Sequence, residues 1–224
     1  MGNKGGLRHQ KRIALKSIKI PKKSATWVVK GDGLPLLIAI RDYLGLAHTA
    51  REAEKIIKEG NVLVDGKIER NEKRGLKLMN ILEIKKINKA YLVSLDQKQR
   101  FYLEEMDPSK AEEKLCKIVN KTTLKKGKIQ LNFHDGTNYI LDKNAYSCGD
   151  VVKMKIPENE IIDIFELKKG NIAKILGGNH AGKIGTIEQI IPGTTTRERM
   201  VEISDGKNKF MCPEKYVFVI GKGD

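Results

Sequence analysis

Gly177-Gly178-Asn179-His180-Ala181-Gly182-Lys183 has the residue types and spacing of G-x-x-x-x-G-K, a pattern whose backbone can cradle phosphate beside a lysine. A nucleotide loop needs two further parts: Ser or Thr after the lysine to hold Mg²⁺, and a helix aiming its first amides at the phosphates. Here Ile184 follows, and Gly185-Thr186-Ile187 continues as a β-branched alternating run. With Ile172-Ala173-Lys174-Ile175-Leu176 on the other side, the stretch predicts a turn between two strands, not an NTPase loop. Other reactive residues form no constellation. Cys116, Cys148 and Cys212 are isolated and odd in number, which suggests neither a zinc ribbon nor a disulfide framework and fits a reduced cytoplasm. His9, His48, His134 and His180 lack metal-ligand spacing, so no metal and no cofactor is expected.

Charge points to the partner. The chain carries 43 Lys+Arg against 28 Asp+Glu, a net charge of +15, with a pI near 9.6. That balance suits nucleic acid first and an anionic membrane second. Nine basic residues precede the first acid, Asp32: Lys4, Arg8, Lys11, Arg12, Lys16, Lys19, Lys22, Lys23 and Lys30. The remainder carries only +6, so residues 1–33 read as a basic arm on an ordinary folded body. Glycines in Met1–Gly6 and Pro21 deny the arm a core-forming pattern, so it is expected to order on its partner. Lys4, Arg8, Lys11, Arg12, Lys16, Lys22 and Lys23 are its candidate RNA contacts. Trp27 either stacks on a base or packs the arm against the body. No apolar run follows the basic residues as in a secretory signal, and Leu34–Ile40, which contains Pro35, is too short to span a bilayer.

Three bodies are expected after the arm. In the first, residues 34–87, Pro35–Tyr43 reads as a helix ending near Gly45. Thr49-Ala50-Arg51-Glu52 is a capping box opening a second helix, which Gly60 stops. Val62–Ile68 reads as a hairpin turning on Asp65-Gly66. In the second, residues 88–165, strand signals dominate. A short helix is expected around Lys114-Leu115-Cys116, and a hairpin at Ile129–Leu141 turns on Asp135-Gly136. In the third, residues 166–224, a hairpin turns on Asp205-Gly206 and Tyr216–Gly221 reads as a closing strand, which together suggest a five-stranded SH3-like barrel.

The run Thr49–Gly66 resembles the RNA-binding domain named after bacterial ribosomal protein S-four, which implies RNA contacts from Arg41, His48, Arg51, Lys55, Lys67 and Arg70. Arg51 would stand where anionic ligands meet the free amides of a helix start. Lys168–Gly185 is similar to the KOW motif of ribosomal and transcription-elongation proteins. Gly182 matches its turn glycine, and Asn179, His180 and Lys183 are the implied contacts. Lys114–Val119, Lys121–Asn132 (with Lys125 and Lys126 as candidate contacts) and Tyr216–Gly221 extend the likeness over nearly the whole chain. The order of arm, S-four-type domain, β-rich middle and KOW domain resembles the archaeal and eukaryotic small-subunit ribosomal protein family S-four-e, with the compact C-terminus closer to the archaeal type. Two places depart from the family pattern: the link from Trp27 to Leu36 is short, and Lys73–Leu76 lacks a proline.

The resemblance implies an α+β multidomain protein: a helix-hairpin S-four-type RNA-binding domain, a β-rich central domain and a C-terminal SH3-like KOW β-barrel. Its expected function is a non-enzymatic constituent of the cytoplasmic small ribosomal subunit. The expected partners are small-subunit ribosomal RNA and neighbouring ribosomal proteins, with no membrane and no small-molecule substrate. An RNA-modifying enzyme anchored by the S-four-type domain would need a sizeable catalytic sheet with a pocket acid, for which the short-stranded middle offers no candidate. A transcription-elongation factor built on the KOW domain is the other rival.

Overall fold

The computed structural model describes residues 33–223 apart from 97–99, 143–144 and 196. Their regular structure is mostly β-strand, with few helices, and they fall into two compact units: residues up to Leu95 together with Arg100–Glu112, and residues from Glu113 onward.

The first unit opens with strand β1 (Leu34–Pro35) and a short helix α1 (Leu36–Ile38), which widens into a π turn over Ala39–Tyr43. Helix α2 (Ala50–Lys58) follows, then β2 (Val62–Val64), β3 (Lys67–Ile68), β4 (Gly75–Leu76), β5 (Ile81–Ile84), β6 (Lys89–Leu95) and β7 (Phe101–Met106). β1 pairs with β4, while the main sheet has the antiparallel order β3-β2-β5-β6-β7. Asp65 (φ 51°) and Gly66 (φ 73°) both take the left-handed conformation required by the tight β2–β3 turn. Leu36, Ile40, Ala53 and Ile57 from the helical segments bury against Val62, Leu82, Ile84, Tyr91 and Val93 from the sheet. Phe101 and Leu103 of β7 pack on the same core. The boundary expected at residue 88 therefore falls between two hydrogen-bonded strands, because Ile81↔Leu92 through Ile84↔Lys89 are in register. β6 and β7 complete the first body instead of opening the second.

The second unit holds two five-stranded antiparallel sheets. One runs β10-β9-β8-β11-β12, from β8 (Glu113–Thr123), β9 (Ile129–Phe133), β10 (Asn138–Leu141), β11 (Val151–Lys155) and β12 (Glu160–Phe165). The other runs β16-β15-β14-β13-β17, from β13 (Ile172–Ile175), β14 (Ile184–Ile191), β15 (Met200–Ser204), β16 (Lys209–Pro213) and β17 (Val217–Gly221). The short helix expected around Lys114-Leu115-Cys116 is instead the start of β8, and only Pro108–Lys110 forms a turn of 3₁₀ helix. Cross-strand partners override the local signal. Cys116 and Ile118 enter the core with Leu131, Phe133, Val152 and Met154, and β11 pairs with β8 from Val151↔Lys117 to Lys155↔Glu113. Both Asp-Gly hairpins of this unit form where the sequence places them.

Candidate nucleic-acid interface

In the first unit, the helix-hairpin surface is built by the start and outer side of α2. The capping box is present: the Glu52 N–H donates to Thr49 Oγ1 (3.2 Å), and the His48 and Thr49 N–H groups donate to Glu52 Oε2 (2.8 and 3.2 Å). These backbone donors, His48 first, hold the Glu52 carboxyl below its usual range. The capping box thus takes the His48, Thr49 and Glu52 amides within the protein itself. Arg51 instead presents a bare guanidinium.

The basic residues of this surface divide by partner. Arg41 forms a two-pronged pair with Asp42, Nε to Oδ1 at 2.7 Å and Nη2 to Oδ2 at 2.8 Å, which raises its pKa and cancels its charge locally. Lys58 pairs with Glu54 (2.5 Å) and Lys86 with Glu59 (2.8 Å). Arg51, Lys55, Lys67 and Arg70 are exposed and make no ion pair among the described residues. His48 is exposed beside them. Arg70 also stands against the end of α2, since a Cβ at Gly60 would meet its Nη2 at 3.5 Å. Five of the six residues named from the sequence are thereby left facing solvent.

In the second unit, the Gly177–Lys183 segment turns between β13 and β14, as its flanks predict. The Gly182 N–H donates to the Ile175 carbonyl (2.7 Å) and the Ile175 N–H to the Lys183 carbonyl (2.8 Å). Gly182 has φ 84°, so a side chain there would be strained, whereas Gly177 is required by proximity: its Cβ would lie 2.5 Å from the Tyr216 ring. The turn fixes its side chains by an aromatic residue that motif reading missed. Lys183 Nζ sits 3.7 Å from the Phe210 ring centroid, and the His180 ring lies 4.8 Å from the same centroid at 41°. Phe210 is buried and directly opposite Ile203 across β15–β16. A cation over a ring face contributes about 0.5–2 kcal/mol, enough to hold the Lys183 ammonium in place without neutralising it. Asn179 is exposed at the turn. Phe210 lies 27 residues from Lys183 in sequence, so only the sheet register could have revealed it.

Lys125 is exposed on the turn Lys125–Gly127 between β8 and β9, which also contains Lys126. Lys4, Arg8, Lys11, Arg12, Lys16, Lys22, Lys23 and Trp27 lie outside the described residues. Among the described residues no group of His, Cys, Asp and Glu could hold a metal, and no helix is long and apolar enough to cross a membrane. Lys117 and Asp135, whose pKa values are strongly shifted, are spent on buried contacts inside the second unit.

Three family models match in the order the fold presents them: the S4 domain over residues 39–82, ribosomal family S4e over 87–161 and the KOW motif over 169–197. Curated relatives are similar over almost their full lengths. The small ribosomal subunit protein eS4 of Archaeoglobus fulgidus is 40% identical, covering 96% of this chain and 94% of that protein. The protein of the same name from Methanothermobacter thermautotrophicus is 41% identical over 92% and 88%. The crystal structure of the 30S ribosomal protein S4e from Thermoplasma acidophilum superposes with a TM-score of 0.75 at 33% identity, covering 86% of this chain and 97% of that one.

Proposed function

The chain belongs to the ribosomal S4e family, and from that membership we propose that it is a structural, non-enzymatic constituent of the small ribosomal subunit, binding small-subunit ribosomal RNA and supporting its folding and assembly in the cytoplasm. The observation that carries this reading is the near-complete collinearity with proteins named for the small subunit, across all three modules.

The mechanism is electrostatic and geometric. Lys and Arg side chains displace counterions from phosphates, while the rigid bodies fix orientation. On the first unit the unpaired set Arg51, Lys55, Lys67 and Arg70, with His48, meets the RNA, and Arg41 contributes less because Asp42 already answers its charge. On the second unit, whose last sheet curls as an SH3-like barrel, Asn179, His180 and Lys183 present the contacts, supported by Phe210. Lys125 and Lys126 add a third contact at the β8–β9 turn. The basic residues of the arm add further phosphate contacts. A filter-binding titration of the full chain against small-subunit ribosomal RNA fragments at increasing salt tests this. Affinity should fall steeply and log-linearly with salt, by about 0.7–0.9 log units per log unit of salt for each neutralised phosphate. Absent or salt-insensitive binding would overturn it.

A further inference from the structure

The outer face of β8–β9–β10 carries a pattern that charge-based reasoning overlooks. The register places Asn120 opposite Asn132 and Asn132 opposite Asn138, so three asparagines form a continuous row across three strands. The next row on the same face is Thr122, Gln130 and Ile140. The face exists in this form because of a bulge: the β8–β9 register shifts between Ile118 and Asn120, leaving Val119 as the extra, exposed residue. Beyond the bulge Asn120 and Thr122 point outward, while Leu131 and Phe133 stay in the core.

The rows are organised. Gln130 Nε2 donates to Asn132 Oδ1 (2.7 Å) and Asn132 Nδ2 donates to Thr122 Oγ1 (3.1 Å), which fixes the two central amides. The Asn120 Oδ1 accepts from the Lys121 N–H (2.8 Å), which holds this side chain at the edge of the row. At strand spacings of about 4.8 Å the row spans about 10 Å, and two residues along the strands adds about 7 Å. On a chain of net charge +15, this is a neutral patch of planar amides, each offering donors and an acceptor. Its neighbour along the hairpin is the Lys125–Gly127 turn, assigned above to phosphate.

Amides beside a phosphate-contacting turn suit the wide, shallow minor groove of an A-form RNA helix, where 2′-hydroxyls and base edges lie open. The exposed Val119 and Ile140 at the patch margins suit ribose carbons. We propose that this face is a minor-groove docking surface that contacts the 2′-hydroxyls of a ribosomal RNA helix, with Asn120, Asn132 and Asn138 as its hydrogen-bonding row and the β8–β9 turn on the flanking phosphates.

This proposal rests on the RNA-binding reading and adds the groove and the sugar to it. The test uses the full chain, wild type and Asn120→Ala/Asn138→Ala, both substitutions being at exposed positions. Each is titrated against small-subunit ribosomal RNA fragments and against DNA of the same sequences, over a range of salt. For the wild type, RNA should be preferred over DNA. The double variant should bind that RNA about tenfold more weakly, the effect of removing two net hydrogen-bonding groups. Its salt slope should be unchanged and its RNA preference correspondingly reduced, while Lys125→Gln lowers the slope. A double variant indistinguishable from wild type in affinity and RNA preference overturns the docking surface and leaves the RNA-binding reading standing. A double variant that binds RNA normally but no longer sediments with the small subunit also overturns it, assigning the face to a protein neighbour. A wild type that binds no RNA overturns both.

Discussion

Lys114 and Asp135 meet at 2.6 Å with side chains only 2% exposed, a charge pair that no reading of the linear sequence anticipates. Burial alone would raise the Asp135 pKa. The Lys114 charge and hydrogen bond, with two donors from Thr137, overcome that and hold it at about 2. Its folded pKa is depressed, so its contribution is fully present above the unfolded value near 4 and is lost as pH falls from about 4 to about 2. Asp135→Asn should cost about 3–5 kcal/mol in denaturant melts near neutral pH, because it removes the carboxylate charge that faces a buried ammonium, and Lys114→Met in the same chain should recover most of the loss. A cost below about 1 kcal/mol would show that water reaches the pair. The Asp135-Gly136 turn was legible because turn chemistry is local, whereas the ion pair depends on the distant pairing of β8 with β9. The same contrast separates two cations chosen from motifs. Lys183, held over Phe210 and able to reach a phosphate, should on change to Gln weaken RNA binding and lower the salt slope by about 1. Arg41→Gln should move the slope less, because its charge is already matched by Asp42. Equal slopes for the two variants in filter-binding titrations would contradict this ranking.

Helix α2 shows at the scale of an element why some structure is written locally. Its capping box needs only Thr49 and Glu52 three residues apart, and both halves form. Thr49→Ala should therefore lower the stability of the first unit by about 1 kcal/mol, read as a shift in the denaturant midpoint, while Thr49→Asp should largely retain it. A neutral Thr49→Ala would mean that packing of Ala53 and Ile57 alone sets the helix start. The hairpins were legible for the same reason, each having Asp-Gly between alternating apolar runs. β8 was not. Its Lys114–Cys116 start carries no local strand signal strong enough to exclude helix, and β11 and β9 decide its state from either side. The π turn at Ala39–Tyr43 likewise left no mark beyond an ordinary helical pattern.

At the scale of the whole molecule, composition and motif order revealed the modules, but the seams between them follow strand pairing, which sequence spacing does not encode. The first seam lies after β7, because β6 and β7 hydrogen-bond into the first sheet. Inside the second unit the two sheets are tied by Lys117, whose buried Nζ donates to the carbonyls of Glu214 and Val217, both at 2.7 Å. The Asp150 carboxylate adds a second tie by accepting from the Leu167 N–H (2.9 Å), and the His134 ring meets Phe218 edge-on at 5.4 Å. Burial pushes the Lys117 pKa down to about 8, while the charges of Glu214 and Cys212 pull it back up. In the unfolded chain this lysine titrates near 10.4. Between those values the unfolded state binds more protons, so this residue's contribution to stability rises as pH climbs from about 8 toward 10.4, by about 3 kcal/mol in all. Other lysines titrate over the same range, so the measurement is a difference: denaturant midpoints of wild type and Lys117→Met, compared at steps from pH 7 to pH 10. Wild type should gain on the variant steadily above pH 8. Parallel profiles would mean that Lys117 keeps its charge in the fold, its two carbonyls having fully replaced the water it lost.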